Sequence, residues 1–211
     1  MKIEDIIKRR KIQEILHFTT NKGLTGIVAS KAIIARKRLP KENYLEHILF
    51  YNCTSRIRDR EWLDYVNLSI TSINLHLFGI SSGKWHPDIE GWWCILSFSP
   101  EILMHPGVYF CTTNNVYTCI ERGLGAMGLE KLFADRIDRE PGWAATRTGT
   151  TPINQPTCNQ AEVLYPGKLS LDYLKHIYVQ DEEHVWAAES ICDMFTGLPE
   201  FDINIKPEMF S

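Results

Sequence analysis

A single domain of mixed helices and strands, with the strands concentrated in the middle of the chain, is what this sequence predicts. Three observations carry that reading. Runs at 62–71, 91–98, 107–111, 157–165 and 201–205 are rich in β-branched and aromatic residues or alternate apolar with polar side chains. Segments near both ends instead repeat their apolar residues at helical spacing. With 211 residues, 44% of them hydrophobic, the chain can build one sizeable core over 1–211 and is short for two.

Taken in order, Ile3, Ile6, Ile7, Ile12, Ile15 and Leu16 recur near helical spacing around Lys8-Arg-Arg-Lys11, which predicts an amphipathic first helix with an exposed basic turn. Thr19, Thr20 and Asn21 are good caps for a second helix over Leu24 to Ala32, and a helix start can also hold an anion. His17, alone between them, reads first as a buried core histidine. Ser55-Arg-Ile-Arg-Asp-Arg60 gathers three arginines, the side chain suited to bidentate phosphate contacts. In the strand that follows, Val66, Leu68 and Ile70 take one face, while Asn67, Ser69 and Thr71 either line a cleft or meet solvent on the other. Two aromatic-rich strands come next, separated by a loop at 100–106, and Thr112-Thr-Asn-Asn115 closes the second as a polar loop.

Gly123, Gly125 and Gly128 interrupt a helical stretch that ends at Ile137. Residues 134–158 then read as a long polar loop. Loops of that length are usually functional or disordered, and this one mixes Arg139 and Arg147 with Trp143 as single-strand binders do, so it is read as a substrate loop. It delivers the chain into Thr157-Cys-Asn-Gln-Ala-Glu-Val-Leu-Tyr165. Strand alternation there sends Ala161, Val163 and Tyr165 inward and puts Gln160, Glu162 and Leu164 on the other face. A carboxylate fixed on a rigid strand suits chemistry that builds positive charge at a sugar carbon. It is equally the mark of an ordinary solvated strand face. Helices at 170–177, capped by Ser170, and 182–195, with Val185, Ala188, Ile191, Cys192 and Phe195 inward, precede the alternating strand at 201–205.

No apolar run approaches the length of a membrane span, and the amino terminus mixes acids with bases, so a soluble, cytoplasmic protein is expected. Six cysteines without a Cys-x-x-Cys pair predict neither disulfides nor zinc, and the seven histidines show no metal-ligand spacing. A net charge of −3 argues against broad electrostatic attraction to nucleic acid, so any such contact must be local.

Several of these pieces together resemble the DarT family of DNA ADP-ribosyltransferase toxins. The resemblance rests on His17-Phe-Thr19 with Asn21 and Leu24, the arginine cluster before Val66-Asn-Leu-Ser-Ile70 with Asn74 beyond, Phe110 to Asn115, Gly128-Leu-Glu-Lys-Leu-Phe133, and Asn159-Gln-Ala-Glu-Val-Leu164. The third element departs from the family, which favours Asn-Ala-Ala where this chain has Asn114-Asn-Val116. The resemblance implies an α+β ADP-ribosyltransferase fold: two packed, mainly antiparallel sheets, flanking helices and an NAD cleft. It implies transfer of ADP-ribose from NAD, with no metal, to a base of single-stranded DNA. Glu162 and Arg58 would be catalytic, with Arg58, or in second place Arg56, holding the diphosphate and helping to position the acceptor. His17 and Thr19 would meet the adenosine-ribose side, Asn21 and Gly23 would support the nucleotide, and Ser69 is a further NAD contact. Arg139, Trp143, Arg147 and Gln160 would meet DNA. A macrodomain antitoxin of the DarG kind is the implied partner. The arginine region resembles the guanine-modifying branch more than the thymine-modifying one. The rival expectations are a transferase acting on protein or transfer RNA, and a non-catalytic NAD or ADP-ribose module.

Overall fold

In a computed structural model, which describes residues 1–39, 60–85 and 91–211, eight strands form one sheet in the order β12-β11-β4-β1-β3-β9-β5-β6. Arg56 and Arg58 lie outside the described residues. The strands are β1 (Ile15–Thr20), β3 (Tyr65–Ile70), β4 (Trp93–Phe98), β5 (Tyr109–Cys111), β6 (Arg122–Leu124), β9 (Glu162–Pro166), β11 (Leu174–Val179) and β12 (Asp202–Ile205). All neighbours pair antiparallel except β11 with β12. The two expected sheets are the two halves of this one. They join where β1 meets β3, through Ile15↔Ile70 and Leu16↔Ser69 alone among the register pairs, whereas β1 runs six pairs along β4. The two central strands therefore part company beyond Leu16, and a gap opens between His17–Thr20 of one and Tyr65–Asn67 of the other.

Alternation along β3 is as expected: Val66, Leu68 and Ile70 are buried, and Asn67 and Ser69 are half-buried on the opposite face. The buried set joins Ile15, Leu96, Phe98, Phe110 and Val163 in the main core. That core is closed by α2 (Asn21–Ser30), α4 (Gly125–Lys131) and α5 (Glu182–Asp193). A smaller core on the other face packs Leu16, Ile95 and Tyr178 against Ile73, Phe210 and Phe78 of α3 (Leu75–Ile80). Helix α5 buries Ala188 and Cys192 and packs Val185 and Ile191 against the core, as its periodicity predicts, and Phe195 just past its end packs there too.

Four local readings change. Helix α1 (Ile3–Arg10) stops at Lys11, which turns into the left-handed region at φ 53°, so Ile15 and Leu16 begin a strand instead of prolonging a helix. Residues after Gly123 are not one interrupted helix. Gly123 of β6 lies against Gly128 of α4 so closely that a Cβ on Gly128 would stand 2.4 Å from the Gly123 carbonyl carbon. These glycines permit strand and helix to touch. The supposed helix at 170–177 is β10 (Lys168–Ser170), a short 3₁₀ turn capped by Ser170, and then β11; sheet pairing on both sides of β11 overrides the local pattern. β10 pairs with β2 (Ala32–Ile34). Finally, 134–158 is not structureless: β7 (Arg136–Glu140) and β8 (Trp143–Thr146) form a hairpin about the Pro141-Gly142 turn.

Candidate active site

The parted strands line a cleft of about 670 Å³ whose wall includes His17, Thr19, Gly23, Asn67, Ser69, Asn74 and Glu162. That volume lies within the range of about 300–1,000 Å³ usual for small-molecule sites.

Glu162 is the first residue of β9 and only 5% exposed. Both faces of β9 are buried, since Leu164 and Val163 are both inaccessible. The carboxylate is therefore not on a solvated strand face, and it is satisfied by donors from separate parts of the chain. Oε2 accepts from the Asn115 backbone N–H at 3.0 Å and from Asn67 Nδ2 at 3.3 Å, and Oε1 accepts from Asn114 Nδ2 at 3.2 Å. Each donor is itself held. Asn114 Oδ1 accepts from Val116 N (3.1 Å), which turns its amide nitrogen toward Glu162. Arg122 donates to both Asn115 Oδ1 (2.7 Å) and the Asn115 carbonyl (2.9 Å), with its guanidinium over Trp62. Because the donor at 115 is backbone, any residue but proline there would supply the same bond. The departure at Asn115 thus leaves the carboxylate's support intact.

His17 is tied to the same group. Its Nδ1 lies 3.0 Å from the Asn67 carbonyl, which can only accept, so Nδ1 carries the proton. Burial lowers its pKa, against the raising effect of that hydrogen bond, and a neutral ring presents Nε2 as an acceptor. The solitary histidine is thus a cleft residue as well as a satisfied one. Thr20 caps α2 by accepting from Gly23 N (3.2 Å). Thr19 Oγ1 sits where a side chain on Gly23 would be, 2.0 Å from an ideal Cβ. Glycine there lets the Thr19 hydroxyl and the helix start share one wall. Two backbone donors of that start are already used, Gly23 N by Thr20 and Asn21 N by the Trp92 carbonyl at 2.9 Å, so the expected anion site is partly filled by the protein. Asn21 opens α2 and is not among the residues lining the cleft.

Of the residues expected to meet DNA, Gln160, Trp143 and Arg139 come together through Tyr117, and Arg147 does not join them. Gln160 is not on the strand with Glu162. It lies in the preceding turn, 4% exposed, and accepts from Tyr117 Oη at 3.0 Å. The Tyr117 ring meets Trp143 edge-on at 5.5 Å, Arg139 lies 4.9 Å over Trp143, and Arg139 Nη2 donates to Asn159 Oδ1 at 2.9 Å. Trp143 is 46% exposed. Arg139 also borders a second hollow of about 330 Å³ with Thr146, Thr157 and Asn159. Arg147 is engaged otherwise: its guanidinium donates to the carbonyls of Pro152 (2.7 Å) and Gln155 (2.8 Å), pinning the loop's own backbone. Asn114, Asn115, Arg122 and Tyr117 were not singled out as site residues in the sequence. The polar run 112–115 directly after a strand is the signal they left.

A carboxylate so fixed, beside a nucleotide-sized gap between strands, equips an enzyme that stabilises a cationic centre on a bound sugar. The chain belongs to the DarT family of single-stranded-DNA ADP-ribosyltransferases: the family model described as "ssDNA thymidine ADP-ribosyltransferase, DarT" matches residues 16–211. The fold is also that of Thermus sp. 2.9 DarT in complex with carba-NAD+ (TM-score 0.66, 14% identity, covering 95% of this chain and 99% of that one). It is equally like Thermus sp. 2.9 DarT in complex with ADP-ribosylated ssDNA (0.64, 15%, 95% and 97%). Thermosipho africanus DarTG in complex with ADP-ribose gives 0.62 at 13% identity, covering 94% of this chain and 51% of that one. At these identities the likeness is one of fold. No curated protein matches the chain in sequence. Among the described residues no helix is long and apolar enough to cross a membrane.

Proposed function

We propose that this protein moves ADP-ribose from NAD to a base of single-stranded DNA, releasing nicotinamide, with Glu162 as the catalytic residue. The observation that carries the reading is the position of Glu162: on the wall of the cleft between β1 and β3, with N–H donors on both oxygens. NAD occupies the cleft, with the nicotinamide ribose at Glu162 and the adenosine side toward His17, Thr19 and Gly23. The bond between the ribose carbon and the nicotinamide nitrogen breaks, and nicotinamide leaves with the electron pair. The cation left on the sugar is stabilised by the fixed carboxylate. A base nitrogen then attacks that carbon and loses its proton to Glu162. His17 Nε2 accepts from a ribose hydroxyl, and Ser69 is a further contact. Arg58, or less favourably Arg56, would hold the diphosphate, a reading that rests on the sequence.

The acceptor strand lies along Trp143 and Arg139, whose exposed ring and half-buried guanidinium suit base stacking and a backbone phosphate, while Gln160 holds Tyr117 beneath the ring and Arg147 pins the loop behind. Guanine is the acceptor we favour, from the resemblance of the arginine region and Val66-Asn-Leu-Ser-Ile70 to the guanine-modifying branch. Thymine is the second reading, and the matching family's own description favours it. As a cytoplasmic toxin, the enzyme would be paired with a macrodomain protein that reverses or blocks its action. Two single-stranded oligonucleotides, one without guanine and one without thymine, incubated with enzyme and NAD, test the proposal by mass spectrometry. An ADP-ribose adduct on the thymine-free strand alone is expected. An adduct on the guanine-free strand alone would overturn the base assignment, and none on either would overturn the DNA reading.

A further inference from the structure

Asn74 follows β3 and caps α3, its Oδ1 accepting from Leu77 N at 3.0 Å. That bond settles which end of the amide is oxygen, because an N–H needs an acceptor. The amide nitrogen is therefore turned the other way, and it makes no hydrogen bond among the described residues although Asn74 is only 3% exposed. A buried donor left unpaired is costly, and where it borders a cleft a ligand can complete it. Asn74 does border the cleft, in company with Phe18, Ser69, Leu77, Ser81 and Trp93. Phe18 and Trp93 stand 5.9 Å apart between ring centres. Apolar faces with donors at the edge suit a flat ring that carries a carbonyl.

Resting on the NAD reading above, connectivity decides which ring this is. Asn67 holds Glu162, and Ser69 is the next residue on the same face of β3, about 7 Å further along the strand toward Asn74. The sugar carbon served by Glu162 bears the nicotinamide directly, whereas the adenine lies beyond a diphosphate. We propose that Asn74 Nδ2 donates to the carboxamide oxygen of nicotinamide. It thereby selects the 3-carboxamide and sets the leaving ring's orientation as the glycosidic bond breaks. The adenine ring has no carbonyl to offer.

The test compares two ligands that differ by this ring: carba-NAD, an unreactive NAD analogue, and ADP-ribose, which lacks nicotinamide. Asn74→Asp keeps an acceptor for Leu77 N and loses the donor. Asn74→Ser keeps a hydroxyl cap without adding charge. With melting temperature as the check on folding, both variants should bind carba-NAD roughly tenfold more weakly, the scale for loss of one hydrogen bond, and bind ADP-ribose as the wild type does. Equal weakening of both ligands by the Ser variant, or no weakening of carba-NAD by either variant, would overturn the assignment while wild-type binding left the NAD reading intact. Failure of the wild-type protein to bind either ligand would overturn the NAD reading itself, and this assignment with it.

Discussion

The two sides of the cleft are built on opposite plans. Around Glu162, donors among the described residues come from β3 and the 112–115 turn, which Arg122 of β6 holds from behind. Along the other side, polar groups are held in place but left open. His17 is fixed through Nδ1 with Nε2 turned to accept, and Asn74 is fixed through Oδ1 with Nδ2 unpaired among the described residues. A group that stabilises charge only as it develops works best when nothing has to reorganise at that moment. Groups that recognise a ground-state ligand must instead leave hydrogen-bonding capacity for it. The two sides should therefore respond differently to substitution, the first in turnover and the second in affinity.

The largest effect should be at the carboxylate: Glu162→Ala is expected to lower turnover by about 10²-fold or more while sparing most NAD affinity, which steady-state kinetics beside calorimetry would separate. Next come its supports. Asn67→Ala and Asn114→Ala each remove one bond to a charged group, worth about 1.5–3 kcal/mol, and should lower kcat roughly tenfold or more with little change in KM for NAD. An equal rise in KM would erase the proposed division of labour. On the other side, Gly23→Ala forces a Cβ into the Thr19 hydroxyl. Such overpacking costs about 1–3 kcal/mol, and the result should be a roughly tenfold rise in KM for NAD with kcat nearly kept.

Outside the cleft, Trp143→Ala should raise KM for single-stranded DNA roughly tenfold, since a stacked base contributes about 1–3 kcal/mol, and leave NAD affinity alone. The smallest effect concerns pH. The folded pKa of His17 lies below its unfolded value near 6.5. The unfolded chain therefore takes up the proton first. The stability His17 contributes is present above about pH 6.5 and is lost as pH falls from there through the folded value, by at most about 1.4 kcal/mol per pH unit. Thermal melts of wild type and His17→Gln between pH 7.5 and 5 should diverge in that sense, as an order-of-magnitude expectation.

Much of this was legible in the sequence because it is local. The alternation of β3, the Thr20 cap, the inward stripe of α5 and the carboxylate of Glu162 each depend on residues a few positions apart. What escaped depends on distance or on pairing. Donors to Glu162 among the described residues lie 95, 48 and 47 positions away from it, and no local pattern joins them. Leu174–Val179 pairs with β4 and β12, which lie far from it or after it in sequence, and its Ile177, Tyr178 and Val179 suit the strand that the helical reading passed over. The 134–158 segment concealed its hairpin because only Ile137 of β7 is buried, leaving Pro141-Gly142 as the visible mark of a turn. Arg147 looked free for DNA, as exposed arginines in polar loops do, until its carbonyl partners were in view.

One measurement bears most directly on the account: intact mass of a mixed-sequence single-stranded oligonucleotide after incubation with NAD and either wild-type protein or Glu162→Ala, at concentrations where both bind NAD. The account predicts one added ADP-ribose with the wild type and an unmodified strand with the variant. Comparable adduct from both proteins would contradict it, because the carboxylate held at the cleft would then have no part in the chemistry.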